Sequence, residues 1–280
     1  MMVFTKTENL LKILLPYRAQ NKIGFIPTMG ALHTGHLSLV KKALEKNDCV
    51  VVSIFVNPTQ FDNSSDLKKY PRTLEKDVTL LETLQGTVYI FTPDTKTLYG
   101  ETVNSKKYRL GAIASEMEGR HRKGHFDGVA TVISLFFKVI LPNNAYFGQK
   151  DFQQLQIIKK LVEIEKLPIK IIGCPIVREK NGLAMSSRNK RLGQQQLENA
   201  TIISKILKEV RSQFKKKSIQ ELNKLVENRF KQSSLQLEYF EIANEKTLKT
   251  VSRKRKENKY RAFIAAFSKE VRLIDNMALN

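Results

Sequence analysis

The spacing of apolar and polar residues changes period repeatedly along this chain. Residues 22–27 (KIGFIP) and 49–56 (CVVVSIFV) are short, nearly unbroken apolar runs, the pattern of strands buried on both faces. Between them Leu37, Leu39, Val40, Ala43 and Leu44 recur at helical spacing, so the segment predicts a βαβ unit. The alternation continues with a helix over 73–84, a strand over 88–91, a helix over 126–140, a strand over 145–147, a helix over 151–165 and a strand over 169–172. Such a sequence of elements predicts an α/β fold: a Rossmann-like parallel sheet with helices on both faces.

Beyond Pro175 the texture differs. Residues 178–191 read as irregular and polar, 194–216 and 219–232 as two helices, and 237–242, 261–267 and 271–274 as β-like runs. Helices followed by hairpin-like strands predict a smaller C-terminal α+β domain, with the division placed at residue 175: domains 1–175 and 176–280.

Composition narrows the setting. With 280 residues, 41% hydrophobic and 27% charged, the chain can build a substantial core and does not resemble a disordered one. The uncharged apolar stretch 128–137 is about half the length of a membrane span, and the opening MMVFTKTENLLKILL lacks the pattern of a secretory signal. Cys49 and Cys174 are the two cysteines, each in an apolar run, so no disulfide framework or cysteine-rich zinc site can form. These features predict a cytoplasmic protein without a membrane partner. The net charge of +21, more than half of it beyond residue 177, attracts polyanions. Its lysines are dispersed along helix patterns as on a solvated face, and the aromatics Tyr239, Phe240, Tyr260, Phe263 and Phe267 alternate as strand core. No nucleic-acid partner is expected.

The four histidines fall in two clusters, and the candidate chemistry starts there. His33 and His36 lie in TMGALHTGH, between the first predicted strand and helix. A glycine-bearing turn at that junction lets backbone approach an anion, and the helix start offers unpaired N–H groups. Two imidazoles three residues apart share a side, which suits polyphosphate chemistry with proton transfer near neutral pH. Simple helix capping is the plainer alternative; a metal pair lacks a third ligand at suitable spacing. The second cluster, EGRHRKGHFDGV, sets Arg120, Arg122, Lys123 and His125 before another helix pattern, where a basic surface loop is the plainer alternative. FGQKDFQQ follows a strand: Gly148 allows close approach, Lys150 offers a charge to phosphate and Asp151 an acceptor to ribose. AMSSRN supplies Ser186, Ser187 and Arg188 for triphosphate oxygens. FVNPTQF puts Asn57 and Gln60 past the carboxyl end of a strand, where open parallel sheets bind ligands.

PTMGALHTGH, FVNPTQF, YPRT, EGRHRKGHFDGVATV, FGQKDFQQ and AMSSRN together, in this order, resemble the pantothenate synthetase family over residues 22–191. The bare H-x-G-H also resembles the motif of the wider nucleotidyltransferase superfamily. The resemblance implies ATP-dependent condensation of pantoate with β-alanine through an acyl adenylate, releasing AMP and pyrophosphate. It further implies that Met29, Gly30, Ala31, Leu32, His33, Thr34, Gly35 and His36 bind ATP, with His36 the proton donor and His33 a second phosphate contact. Gly148, Gln149, Lys150, Asp151, Val177, Met185, Ser186, Ser187 and Arg188 are the other implied nucleotide contacts, and the smaller domain is implied to close over the ATP site. Gln60 and Gln154 are implied to hold pantoate, with Asn57, Arg122 and His125 on the same side. Mg2+ is implied to accompany ATP without assigned ligands, Asp77 being the one candidate, and a homodimer is implied. Gln149 departs from the family, which often has glutamate there. Alternatives from the residues alone are another adenylyl-transferring enzyme of the superfamily, or an RNA-binding protein using its basic second half.

Overall fold

In the computed structural model, which describes residues 1–20 and 22–280, the chain divides into two compact units. The first comprises Met1–Leu110, Arg122–Gln149 and Gln154–Pro175; the second comprises Gly111–His121, Lys150–Gln153 and Ile176–Asn280. The short segments Gly111–His121 and Lys150–Gln153 therefore group with the second unit, although they precede residue 175.

In chain order the elements up to Cys174 are β1 (Met2–Phe4), α1 (Thr7–Gln20), β2 (Ile23–Thr28), α2 (Thr34–Leu44), β3 (Cys49–Ile54), α3 (Ser64–Lys68), α4 (Leu74–Glu82), β4 (Val88–Phe91), α5 (Thr95–Tyr99), α6 (Met117–His121), α7 (His125–Ile140), β5 (Asn144–Gly148), α8 (Phe152–Ile164) and β6 (Lys170–Cys174). All six strands run parallel in the order β1-β4-β3-β2-β5-β6. Side-chain alternation sends successive strand residues into two separate cores. Cys49, Val51, Tyr89, Phe91, Ala145 and Phe147 pack with α1, α7 and α8; Val50, Val52, Val88, Ile90 and Tyr146 pack with α2 and α4. Helices thus cover both faces, which is why these strands read as continuous apolar runs. From β2 the chain moves to β3 and β4 on one side and later returns to β5 and β6 on the other. The β2–β5 pair, in register at Gly24–Asn144 and Phe25–Ala145, is the topological switch point where such sheets bind ligands.

The second unit adds α9 (Gln194–Ala200), α10 (Ile202–Gln213), α11 (Ile219–Lys231), β7 (Gln236–Asn244), β8 (Tyr260–Ser268) and β9 (Val271–Ala278). Its strands form an antiparallel sheet, β7-β8-β9, covered by apolar faces that include Ile203, Ile206, Leu207 and Val210 of α10 and Leu222, Val226 and Phe230 of α11. The single helix expected over 194–216 is broken at Thr201, whose hydroxyl donates to Glu198 O at 2.7 Å while its own N–H turns to the same carbonyl. A threonine bonding back into the preceding turn bends the helix there.

Candidate active site

The turn leaving β2 adopts left-handed backbone at two consecutive residues, Gly30 (φ 80°) and Ala31 (φ 51°). Glycine is required at the first: a β-carbon there would lie 3.0 Å from Ile54 Cγ2 and 3.1 Å from Asp77 Oδ2. Ala31 carries a conformational cost of roughly 1–2 kcal/mol, and Asp77 offsets it. This α4 residue, 1% exposed, accepts the Ala31 N–H on Oδ2 (2.9 Å) and the Leu32 N–H on Oδ1 (2.8 Å), with the Thr73 hydroxyl also donating to Oδ1 (3.1 Å). Thr28 Oγ1 accepts the Gly30 N–H. The turn does bind an anion through its amides, as its glycine pattern predicts, but that anion is the protein's own carboxylate. The amides of Gly30, Ala31 and Leu32 are thereby directed inward.

Both histidines of the turn cap α2. His33 is the N-cap and its Nδ1 accepts the Gly35 N–H (3.1 Å), while His36 Nδ1 accepts the His33 N–H (3.3 Å), a reciprocal capping box made of two imidazoles. The rings lie 4.0 Å apart between centroids. Because each Nδ1 accepts, the proton of each neutral ring resides on Nε2, the edge turned away from the helix backbone. The cap thus selects the tautomer with a donor at Nε2 on each neutral ring.

Gln60 sits in a 3-10 turn, Pro58–Gln60, beyond β3. Its side chain accepts from Asn57 Nδ2 (3.0 Å) and donates to Met29 Sδ (3.3 Å), joining it to the histidine turn. Its carbonyl is held by His125 Nδ1 (2.8 Å) and Arg122 Nη2 (3.3 Å). With Nδ1 donating to that carbonyl, His125 Nε2 is the acceptor for Arg122 Nη1 at 3.1 Å. Asn57 is buried, and its Oδ1 accepts from Thr59 and from Tyr99, whose phenol is pushed up by burial and so stays a donor. Asn57, Arg122 and His125 thus fix the position of Gln60 within the first unit. Gly148 and Gln149 follow at the end of β5, beside β2, and Gln154 lies half-buried on α8.

In the second unit, Val177 and Met185 are the paired ends of a small hairpin: Met185 N–H donates to Val177 O (3.0 Å), and Arg178 bridges Ala184. Buried Asp275 of β9 takes both Arg178 Nη1 (2.6 Å) and Nη2 (3.0 Å). Ser186 caps the following turn, Ser187–Arg191, by accepting the Arg188 N–H. Lys150 and Asp151 belong to the same unit, Lys150 Nζ lying 3.9 Å from Asp151 Oδ1.

The family model described as pantoate-beta-alanine ligase matches residues 2–278. The chain belongs to the pantoate–β-alanine ligase family. It is 51% identical to the pantothenate synthetase of Christiangramia forsetii, with both chains covered completely. The crystal structure of pantothenate synthetase from Thermus thermophilus superposes with a TM-score of 0.92 at 34% identity, covering 100% of this chain and 99% of that one. The pantoate–β-alanine ligase of Francisella tularensis, solved as a complex with β,γ-ATP and β-alanine, aligns at TM-score 0.82 and 36% identity, covering 100% and 98%.

Several residues of this ligase fold that shape the site carry no motif of their own. Asp77, singled out in the sequence only as a candidate for magnesium, instead braces the turn 45 and 46 residues away. Tyr99 and the Gly128 carbonyl both bond the Asn57 side chain, from 42 and 71 residues away. Arg120 and His121, read together with Arg122 and His125, serve the second unit: Arg120 bonds Glu241 (2.9 Å) and Glu116 (2.8 Å), and His121 stacks on Tyr239. The EGRHRKGH run thus divides between the units at His121.

Proposed function

We propose that the paired Nε2 edges of His33 and His36 receive the phosphates of ATP while pantoate is activated as its adenylate and condensed with β-alanine. A carboxylate is a poor electrophile. Attack of its oxygen on the α-phosphorus expels pyrophosphate, and attack of the β-alanine amine on the resulting acyl carbonyl expels AMP. His36 supplies a proton to the phosphate oxygens as negative charge moves onto pyrophosphate; His33 is the second donor. Gln60, braced through its amide and carbonyl, orients pantoate, with Gln154 a further contact, and Asn57, Arg122 and His125 maintain that orientation. Met29, Thr34 and Gly35, with Gly30, Ala31 and Leu32 as the turn's framework, lie on the nucleotide side. Gly148, Gln149, Lys150, Asp151, Val177, Met185, Ser186, Ser187 and Arg188 are assigned to the nucleotide as well.

The observation that carries this reading is the histidine capping box at the switch point of the sheet, joined through Met29 to Gln60. Mg2+ enters with ATP. Among the described residues no group of three or more His, Cys, Asp or Glu could hold a metal, and both oxygens of Asp77 already accept hydrogen bonds. The residues therefore do not fit a protein-built magnesium site, and no step is assigned to the ion. Among the described residues no helix is long and apolar enough to cross a membrane. We assign the enzyme to the cytoplasm as a homodimer, the latter open to light scattering at two concentrations.

The decisive assay is AMP release by purified protein with each acid and amine supplied singly and together. AMP dependent on both pantoate and β-alanine supports the assignment; AMP release indifferent to either one rejects it.

A further inference from the structure

We infer that Asn276 of β9 is a positioning residue for adenylate formation, acting through the main chain of Lys150. The inference rests on the assignment of Lys150 to the nucleotide. Asn276 is 2% exposed, and its Nδ2 donates to Lys150 O at 2.8 Å. Its Oδ1 accepts from Arg261 Nη1 at 2.7 Å. Arg261 is itself held by Glu245 through Nε (2.9 Å) and Nη2 (2.6 Å), and its guanidinium lies 4.0 Å over the Phe152 ring. Gln153, next in the chain, is buried and donates from Nε2 to the carbonyls of Ile113 and Glu116, both at 2.8 Å.

The segment Lys150–Gln153 is therefore gripped at the Lys150 carbonyl, the Phe152 ring and the Gln153 amide. None of these grips uses the Lys150 or Asp151 side chain. An anchor that occupies the backbone and leaves two charged side chains outside it is the arrangement expected where those side chains serve a ligand. Asn276 is the polar centre of that anchor, because a buried amide fixes direction as well as distance. Its neighbour Asp275, on the opposite face of the same strand, holds Arg178 beside Val177.

Asn276→Asp tests the idea, because it preserves size and the acceptor for Arg261 but replaces the donor facing Lys150 O with an oxygen. The expected result in pantoate-dependent ATP–pyrophosphate exchange is a fall of about 10- to 100-fold in kcat/KM for ATP, the scale of a small misplacement. The KM for β-alanine should stay at its wild-type value, and the lost buried hydrogen bond should lower the melting temperature while leaving the protein folded at the assay temperature. Should that variant fail to fold, Asn276→Ala is measured in the same way. Lys150→Ala and the double variant complete the cycle: equal losses in Lys150→Ala with and without the Asn276 change support action through Lys150. Multiplying losses, wild-type exchange in Asn276→Asp, or a loss that follows the melting temperature with KM for ATP unchanged would each overturn it. Full exchange in Lys150→Ala alone would instead reject the assignment of Lys150, whatever Asn276 does.

Discussion

Gly128 of α7 presses directly on the main chain of Thr59: a β-carbon at 128 would lie 2.3 Å from the Thr59 carbonyl oxygen and 2.9 Å from Gln60 N. Backbone cannot yield as a flexible side chain can. Gly128→Ala should push the 58–60 turn away from α7, cost about 1–3 kcal/mol as an overpacking change, and lower kcat/KM for pantoate more than it raises KM for ATP. A thermal melt and separate substrate titrations check both parts; an unchanged melt with unchanged pantoate kinetics would contradict the close approach.

Asp77→Ala strips two consecutive buried amides of their acceptor. Each unsatisfied donor costs about 1–3 kcal/mol, so urea denaturation should show one of the largest losses of any single change in the first unit. The KM for ATP should rise with it, because the turn carrying His33 loses its brace. Asp77→Asn should lie between, since an amide oxygen can accept one of the two N–H groups. Equal stability of Asp77→Ala and wild type would exclude the bracing role.

His36→Ala removes a donor at Nε2 and the acceptor for the His33 N–H together. Adenylate formation in a single turnover should slow by about 10²- to 10⁴-fold, the usual contribution of a positioned proton donor. The same rate in variant and parent would end the assignment.

The alternation of strands and helices was legible because the central strands β2, β3 and β4 are buried on both faces, leaving runs such as CVVVSIFV that only an enclosed sheet tolerates. The residues proposed to face the ligands stand out for a different reason: they cluster at strand ends, as in TMGALHTGH and FGQKDFQQ. What escaped is non-local. Asp77 meets Ala31 and Asn276 meets Lys150 across separations that no local spacing encodes. The pattern predicts no element at β1 or α1 either, β1 having three residues and α1 carrying Pro16, which lacks the N–H that a helix interior uses. The break at Thr201 hides inside a stretch whose apolar spacing continues through it.

Burial pushes the Cys49 thiol up to about 12, with Asp48 adding to the shift. The folded thiol holds its proton more tightly than the unfolded one, so this contribution to stability is intact below the ordinary thiol value near 9 and is lost as pH climbs from there toward about 12. Native protein at pH 8 should leave Cys49 and the buried Cys174 unreacted with a thiol reagent, both appearing on denaturation. Replacing Cys49 with alanine should flatten the alkaline limb of the stability profile; rapid labelling of the native enzyme would refute the protected state.

The start of α2 is built from a residue poorly suited to starting a helix. Serine, aspartate or asparagine at position 33 would cap more strongly than an imidazole by a fraction of a kcal/mol to about 1 kcal/mol. A population screened for heat resistance alone would accordingly drift toward His33→Ser or His33→Asp, growing sturdier while its turnover decayed. On the proposed role of His33, the opening of this helix is where robustness and reactivity compete for the same few atoms.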